Sequence, residues 1–295
     1  FTAAREDGTG LGAFHRHFPD RFFDVGIAEG HAVTFSAGLA AAGLHPVFAV
    51  YSSFLQRGYD QIIHDVCLQN LPVTFAIDRA GLVGSDGETH QGIFDLSYLS
   101  AIPNMTVMAP KNKWELADML RFAVRMESPA ALRYPRGEAS ESFREFRSPV
   151  EYGKSEWIYE EEDIAVIGVG HMMDTAAEVR RLLKNTGYNC SLVNARFVKP
   201  LDGGMLRELA KDHQLILTVE ENVKTGGYGE QVEAFVEDQN LPVHVLTAAL
   251  PDDYIEHGSV DILREEVLLD APSITARTVT AWLMINADTK KGQKE

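Results

Sequence analysis

Apolar, strand-like runs alternate with longer, helix-like stretches along the whole chain. In the first half, this pattern predicts strands at residues 21–25, 46–50, 73–77, 106–108 and 130–133, and helices at 28–42, 55–69 and 113–126. No stretch shows the sustained period-two alternation of a half-exposed antiparallel sheet. The alternation of short strands with helices is typical of parallel α/β layers.

The second half repeats the same kind of pattern. It predicts strands at residues 164–167, 191–194, 215–219 and 243–246, with helices near 173–186, 203–211 and 228–239. Between the halves, residues 138–162 are rich in charge and read as a linker. We therefore predict two consecutive three-layer α/β domains with mostly parallel sheets, one at residues 1–147 and the other at 160–295.

Composition narrows the class of protein. The 295 residues are 45% hydrophobic and carry a net charge of -16, which argues against nucleic acid or an anionic membrane as a partner. No apolar run approaches the roughly 20 residues that a membrane-spanning helix needs. Cys67 and Cys190 lie far apart in apolar contexts, so we expect no disulfide and a cytoplasmic protein. An anionic small substrate stays possible, since local arginines can oppose the global charge.

The first candidate for chemistry is the segment Asp-Val-Gly-Ile-Ala-Glu-Gly-His at residues 24–31. It follows a predicted strand and opens a predicted helix, and ligands of open α/β sheets bind at this edge. Glu29 has a second interpretation, because a carboxylate in the first turn of a helix also stabilises the helix dipole. Position alone favours the second interpretation, and the neighbouring motifs decide against it.

Further segments accompany this one in a fixed order: residues 51–61, 76–81, 84–92, 133–137, 193–202 and 218–221. Together they resemble the 1-deoxy-D-xylulose-5-phosphate synthase family of the transketolase superfamily, over nearly the whole chain. Residues 133–137, Arg-Tyr-Pro-Arg-Gly, are among the more specific of these motifs. Gly30 departs from the family, which usually has Gln or Glu at this position, and the departure bears on the fine geometry beside Glu29.

The resemblance implies thiamine diphosphate as the cofactor, which becomes a nucleophile by losing the proton on its thiazolium C2. Glu29 matches the glutamate that hydrogen-bonds the aminopyrimidine ring and promotes this proton transfer. Burial would raise the pKa of such a carboxyl group and help it hold a proton. Phe54 matches the residue that stacks on the pyrimidine, and Tyr51 is expected to lie beside the cofactor.

The resemblance also implies the substrates. The family condenses pyruvate with D-glyceraldehyde 3-phosphate, releases CO2 and forms 1-deoxy-D-xylulose 5-phosphate for isoprenoid, thiamine and pyridoxal synthesis. Arg79 and Arg136 match the phosphate-binding arginines, whose forked donors suit a phosphate. The residues expected around the substrate are Tyr51, Arg57, Asp86 and His90, with His90 as a general acid or base. Each of these, taken alone, is more typical of a surface ion pair or a turn.

One part of the family's pattern has no counterpart here. The N-terminal domain of the family carries the magnesium and diphosphate motif and further catalytic histidines, whereas this sequence begins at Phe1 with the pyrimidine-binding segment. We expect the chain to be the C-terminal half of the enzyme, with no metal ligands of its own. Its partners would be that N-terminal domain, which would hold Mg2+ and the diphosphate, and a second copy in a homodimer. Alone, the chain should be inactive.

Two other functions are open. The chain could be the C-terminal subunit of a split transketolase or of a 2-oxo-acid dehydrogenase, against which residues 51–61 and 133–137 argue. It could also be a non-catalytic module that kept the fold and lost the site. A decayed site would not be expected to retain the whole set, namely Glu29, Phe54, Arg79, His90 and Arg136.

Overall fold

Two five-stranded sheets with helices packed against them form the structure. The computed structural model describes residues 1–292, with side chains to residue 287. The strands are β1 (Val47–Tyr51), β2 (Thr74–Asp78), β3 (Thr106–Met108), β4 (Ala130–Arg133), β5 (Glu156–Tyr159), β6 (Asp163–Gly168), β7 (Cys190–Asn194), β8 (Phe197–Lys199), β9 (His213–Val223) and β10 (His244–Leu250).

The helices differ widely in length. They are α1 (Gly12–His17), α2 (Glu29–Ala41), α3 (Ser52–Leu55), α4 (Tyr59–Gln61), α5 (Asp95–Ser100), α6 (Lys113–Ala123), α7 (Met173–Asn185), α8 (Gly203–Asp212), α9 (Tyr228–Asp238), α10 (Val260–Glu266) and α11 (Ala271–Gly292). A 3-10 turn at Gln56–Gly58 joins α3 to α4, and a π-helical segment at Ile62–Cys67 continues α4, so that residues 52–67 form one irregular helix.

Both sheets are mixed but mostly parallel. The first has the strand order β1-β2-β4-β3-β8 and the second β10-β9-β6-β7-β5. In each sheet the antiparallel pair involves an edge strand, β8 beside β3 and β5 beside β7, and the other pairs are parallel. Strands β2, β4 and β7 are buried along their whole length, as strands covered on both faces are. The predicted fold class is confirmed.

Local sequence explains where the helices begin and which face they bury. Asn112, Asp202 and Ser259 each accept a hydrogen bond from the backbone N–H three residues later, which caps α6, α8 and α10. In α2 the buried positions recur at helical spacing, so that one face packs on the first sheet; they are Glu29, Ala32, Val33, Ser36, Ala37 and Ala40.

One predicted strand is wrong, while the remaining predicted strands and helices agree with the structure to within a few residues. At residues 21–25, Pro19–Arg21 forms a 3-10 turn and Asp24 makes only an isolated bridge. The apolar side chains of this segment pack on other aromatic rings instead of in a sheet. Phe23, for example, stacks on Phe1 with ring centroids 5.1 Å apart.

Two short edge strands were not apparent in the sequence. Strand β5 lies inside the segment predicted as a linker, residues 138–162, so the linker prediction is wrong for residues 156–159. Strand β8 leaves the second half of the chain and pairs with β3 in the first sheet. The division at residues 147 and 160 stays a prediction, but the two halves share a sheet.

A cluster of buried charges also joins the two halves. Glu115, on α6, accepts hydrogen bonds from Lys111 Nζ at 2.9 Å and from Arg196 Nε at 2.8 Å. Glu156, on β5, accepts from the same two cations at 2.6 and 3.1 Å. The amide of Asn194 donates to both carboxylates. Each of these charges is buried and paired with both charges of opposite sign, so removing one carboxylate leaves two buried cations with a single anion.

We predict that Glu115→Ala lowers the free energy of unfolding by about 3–5 kcal/mol, because it leaves one buried positive charge in excess, with Lys111 and Arg196 sharing Glu156 alone. Chemical denaturation of the wild type and the variant measures this loss. Glu178→Ala is the matched control, since Glu178 forms an ion pair with Arg181 on the exposed side of a helix and such pairs contribute little. Equal losses in the two variants would contradict the prediction.

Candidate active site

The predicted site residues collect at one edge of the first sheet. Strands β1, β2 and β4 are neighbours and run parallel, so their carboxyl ends lie together. Tyr51 is the last residue of β1, Arg79 follows β2, and Arg136 lies three residues beyond β4. Ligands of open α/β sheets bind at this edge, so the topology brings these three side chains to one place.

Glu29 is buried at the start of a helix. It is the first residue of α2 and is only 2% exposed. Its Oε1 accepts a hydrogen bond from Arg57 Nη1 at 3.2 Å, and the Arg57 side chain is 58% exposed. Among the described residues, Arg57 is the one side-chain partner of this carboxylate. A carboxylate that only stabilised the helix dipole would gain nothing from such burial, because desolvation disfavours its charged form.

Arg57 links Glu29 to a pair of aromatic rings at the same edge. Tyr51 and Phe54 stack with centroids 5.3 Å apart, and the ring of His90 meets Phe54 edge-on at 5.3 Å. The guanidinium groups of Arg5 and Arg57 lie over Phe54, at 5.0 and 5.1 Å from its centroid. Because planar cations already stack on Phe54, this ring offers a face to flat groups.

Arg79 is held in a defined direction. Its φ of +57° lies in the left-handed region, which turns the chain sharply after β2. Its Nη1 donates to Asp78 Oδ2 at 2.6 Å and to the carbonyl of Gly8 at 3.0 Å. The guanidinium carbon lies 3.8 Å from the centroid of the Tyr51 ring. Arg79 therefore faces β1 and the candidate site.

Arg136 contacts the loop that follows β2 and Arg79. Its Nη1 donates to Asp86 Oδ2 at 3.1 Å and to the carbonyl of Val83 at 3.2 Å. Burial raises the pKa of Asp78, and the charges of Arg79 and then of Arg136 partly offset that rise. Both arginines follow the carboxyl ends of two neighbouring parallel strands, β2 and β4.

His90 lies on the loop between β2 and α5. Its Nδ1 is 2.9 Å from Thr89 Oγ1, and either atom can donate, depending on the tautomer. The contact with Phe54 places its ring next to the aromatic pair. The structure therefore brings together six predicted residues: Glu29, Tyr51, Phe54, Arg57, Arg79 and His90. Asp86, on the same loop as His90, forms an ion pair with Arg136.

Sequence reasoning missed two residues of this edge. Asp78, which forms an ion pair with Arg79, carried a signal, because it directly precedes Arg79 at a strand end. Arg5, which lies over both rings, carried none, since its loop is distant in sequence from β1. At Gly30, an added Cβ would lie 3.2 Å from Gln61 Oε1. A larger residue there would therefore press on the Gln61 side chain.

Two adjacent carboxylates of β9 are fully buried but carry opposite pKa shifts. Burial raises the pKa of Glu220 to about 7. The hydrogen bonds that its carboxylate accepts from the N–H groups of Gly229 and Tyr228 lower the pKa, but by less. For Glu221, burial is outweighed by His171 and then Arg264, which hold its pKa well below the usual range. Glu220 stabilises the start of α9, whereas Glu221 faces the first half of the chain through Leu82 N–H.

The part of the chain that the structure describes contains neither a metal-binding cluster nor a membrane-spanning helix. No group of three or more His, Cys, Asp or Glu side chains within it is placed to hold a metal ion. None of its helices is both long and apolar enough to cross a bilayer.

Comparison with known proteins identifies the family. Residues 1–141 match the transketolase pyrimidine-binding domain and residues 153–274 the transketolase C-terminal domain. The chain therefore belongs to the transketolase family, of which it carries these two domains. Within that family it is similar to 1-deoxy-D-xylulose-5-phosphate synthases: it is 55% identical to that of Lachnoclostridium phytofermentans over 274 residues and 52% identical to that of Aquifex aeolicus over 273.

The chain is shorter than these relatives. In both comparisons it is matched over 92% of its own length but spans only 44% of the relative. A solved structure described as a split gene transketolase, an inactive β4 tetramer, superposes with a TM-score of 0.86 at 27% identity, covering 95% of this chain and 90% of that one. A Campylobacter jejuni transketolase has a TM-score of 0.73 at 18% identity, over 88% of this chain and 39% of its own, and shares the fold.

The raised pKa of Glu220 predicts a pH dependence of stability. The native state holds this proton more tightly than the unfolded state, so the stabilisation is complete below pH 4.5 and is lost as the pH rises to about 7. Relative to Glu220→Gln, the wild type should lose about 3 kcal/mol over this range. Urea denaturation of both proteins between pH 4.5 and 8 measures the difference. A difference that does not change with pH would contradict the prediction.

Proposed function

We propose that this chain is the C-terminal half of a transferase that condenses pyruvate with D-glyceraldehyde 3-phosphate, with release of CO2, to form 1-deoxy-D-xylulose 5-phosphate. The observation that carries the proposal is the buried carboxylate of Glu29, whose partner Arg57 lies over Phe54 in the stacked pair of Tyr51 and Phe54. Relatives named 1-deoxy-D-xylulose-5-phosphate synthase, at 50–55% identity, support this reaction. In a cell it would serve isoprenoid, terpenoid and thiamine synthesis.

The residues present fit the pyrimidine end of thiamine diphosphate. This cofactor supplies a nucleophilic carbon once a proton has left it. Glu29 would hydrogen-bond the aminopyrimidine and promote proton transfer there, since its carboxylate is buried and its one side-chain partner among the described residues, Arg57, is mostly exposed. Phe54 would bind the flat face of the ring, in the manner in which it now contacts Arg5 and Arg57.

The diphosphate end and Mg2+ belong, in this proposal, to a diphosphate-binding domain outside this chain. The shorter span relative to the synthases supports this division. The similar split gene transketolase chain forms an inactive tetramer. We therefore propose that this chain needs its N-terminal domain for activity, that the complete protein is a cytoplasmic homodimer, and that residues 1–147 and 160–295 form its domains here.

The acceptor would bind at the arginines. Arg79 and Arg136 both act on Asp78 and would grip the phosphate of D-glyceraldehyde 3-phosphate. Tyr51, Arg57 and Asp86 would line the remaining substrate, and His90 would move a proton on it as a general acid or base. A split transketolase subunit is the main competing function, but the identity to that structure is 27%, against 55% to a synthase.

The first test of this function concerns Glu29. In the full-length protein, Glu29→Gln should keep the fold and the cofactor but slow hydrogen–deuterium exchange at thiamine C2 by about 100- to 10,000-fold, the range typical of a lost acid–base group. Pyruvate decarboxylation should fall with it. Exchange can be followed by NMR after acid quenching.

Asp261→Asn provides the control for Glu29→Gln. Asp261 is also a carboxylate in the first turn of a helix, but it faces solvent. Asp261→Asn should therefore leave hydrogen–deuterium exchange at thiamine C2 unchanged. A wild-type exchange rate in Glu29→Gln would sink the assignment and leave Glu29 as a residue that stabilises α2.

The second test separates the phosphate from the rest of the reaction. Loss of one charge-assisted contact costs about 1.5–3 kcal/mol, or roughly 10- to 150-fold in apparent affinity. Arg79→Ala or Arg136→Ala in the full-length protein should raise KM for D-glyceraldehyde 3-phosphate by this factor. KM for pyruvate and the rate with a non-phosphorylated aldehyde should hardly change.

Arg121→Ala is the matched control for these arginines, since Arg121 forms an exposed ion pair with Asp118 away from the sheet edge. The double variant of Arg79 and Arg136 need not show the sum of the single effects, because both would contact one anion. Equal losses with phosphorylated and non-phosphorylated acceptors would mean that the phosphate binds elsewhere.

A further inference from the structure

The loop that carries Asp86 and His90 is closed at its base. The backbone N–H of Gly81 donates to the carbonyl of Gly92 at 2.6 Å, and the reverse bond is 2.8 Å. We call residues 81–92 the acceptor loop. Asp86 and His90 lie within it, and Arg136 contacts it through Asp86 and the carbonyl of Val83. The position of this loop therefore determines where these three side chains lie.

The base of the acceptor loop packs in the second half of the molecule. Leu82 and Ile93 are 3% and 1% exposed, and they belong to an apolar core built otherwise from residues beyond 157, such as Val219 and Leu250. The carbonyl of Ile93 accepts a hydrogen bond from the N–H of Val223, in β9. The loop is thus anchored on the C-terminal domain rather than on its own.

Glu221 lies at the centre of this anchoring. Its Oε2 accepts the N–H of Leu82 at 2.9 Å and His171 Nε2 at 2.7 Å. Its Oε1 accepts Arg264 Nε at 2.6 Å. Its backbone carbonyl accepts Arg133 Nη2 at 3.1 Å, at the end of the strand that leads to Arg136. Glu221 of the C-terminal domain therefore contacts both the acceptor loop, through Leu82, and the end of β4, through Arg133.

A second set of contacts fixes the far side of the acceptor loop. Gln91 accepts the N–H of Val83 at 2.7 Å and donates to the carbonyl of Glu256 at 3.1 Å. Gly258 N–H donates to the carbonyl of Gly84 at 3.3 Å. The segment before α10 thus supports the tip of the loop, while Glu221 supports its base.

We propose that Glu221, oriented by His171 and Arg264, is a positioning residue for acceptor binding: it fixes the acceptor loop and thereby Asp86, His90 and the contact with Arg136. The proposal rests on the proposed function for its substrate. Its physical content, the anchoring of the loop from the other domain, does not. It assigns the C-terminal domain a part in acceptor recognition without contact between that domain and the substrate.

Glu221→Gln in the full-length protein is the main test. The amide has one acceptor oxygen where the carboxylate has two, so it cannot serve Leu82 N–H and Arg264 together. Because a bond to a charged acceptor is lost, we expect KM for D-glyceraldehyde 3-phosphate to rise about tenfold or more. KM for pyruvate and hydrogen–deuterium exchange at thiamine C2 should stay within about twofold, a split that general destabilisation would not produce.

Glu220→Gln is the matched control. It makes the same change at the adjacent residue, which is also buried, but the Glu220 carboxylate contacts the start of α9 instead of the acceptor loop. Both KM values should be unchanged in this variant. A second readout is backbone hydrogen exchange measured by mass spectrometry. Residues 82–92 should exchange about tenfold faster in Glu221→Gln than in the wild type, and at the wild-type rate in Glu220→Gln.

The two readouts, KM and backbone hydrogen exchange, allow a failure of the proposed function to be distinguished from a failure of the proposed role of Glu221. If the protein condenses no pyruvate, the proposed function fails, and loop exchange alone still decides whether Glu221 anchors the loop. Unchanged exchange at residues 82–92 in Glu221→Gln overturns the inference, as does an equal rise in both KM values. Should Glu221→Gln not fold, Arg264→Met removes one orienting contact at a partly exposed side chain, and it must then raise loop exchange and the acceptor KM selectively for the inference to stand.

Discussion

A carboxylate that is buried in protein must be met by cations or N–H donors, and this requirement joins the two halves of the chain at two places. At one, Glu115 and Glu156 share Lys111 and Arg196. At the other, Glu221 accepts Leu82 N–H from across the interface. Because Lys111 also pairs with Glu156, Arg196 with Glu115, and Leu82 with Glu221, each cluster is complete only when the two halves are in contact.

Much of this arrangement could be predicted from local sequence. The buried strands are short apolar runs, and Ala-rich or amphipathic stretches between them form the helices, so the fold class followed from periodicity. The placement of Tyr51, Arg79 and Arg136 at one edge also followed, since each comes at or after the end of a predicted strand and parallel strands end together. The helix that begins at Glu29 was also predicted, although the strand expected before it does not form.

What could not be predicted depends on partners far apart in sequence. Strands β5 and β8 are edge strands, and each forms by pairing antiparallel with the free edge of another strand, β7 and β3 respectively. The contact of Glu29 with Arg57 spans 28 positions, and that of Glu221 with Leu82 spans 139. Residues 21–25 had the composition of a strand, but stacking of Phe23 on Phe1 took its place.

The shared strand β8 has a consequence for how the chain can be divided. It covers the open edge of β3, and an uncovered strand edge is a template for pairing with other molecules. A cut between the halves that let them separate would expose the N–H and carbonyl groups along β3 to self-association. The two domains are therefore not interchangeable modules: excising or exchanging the second would remove the strand that keeps the first from aggregating.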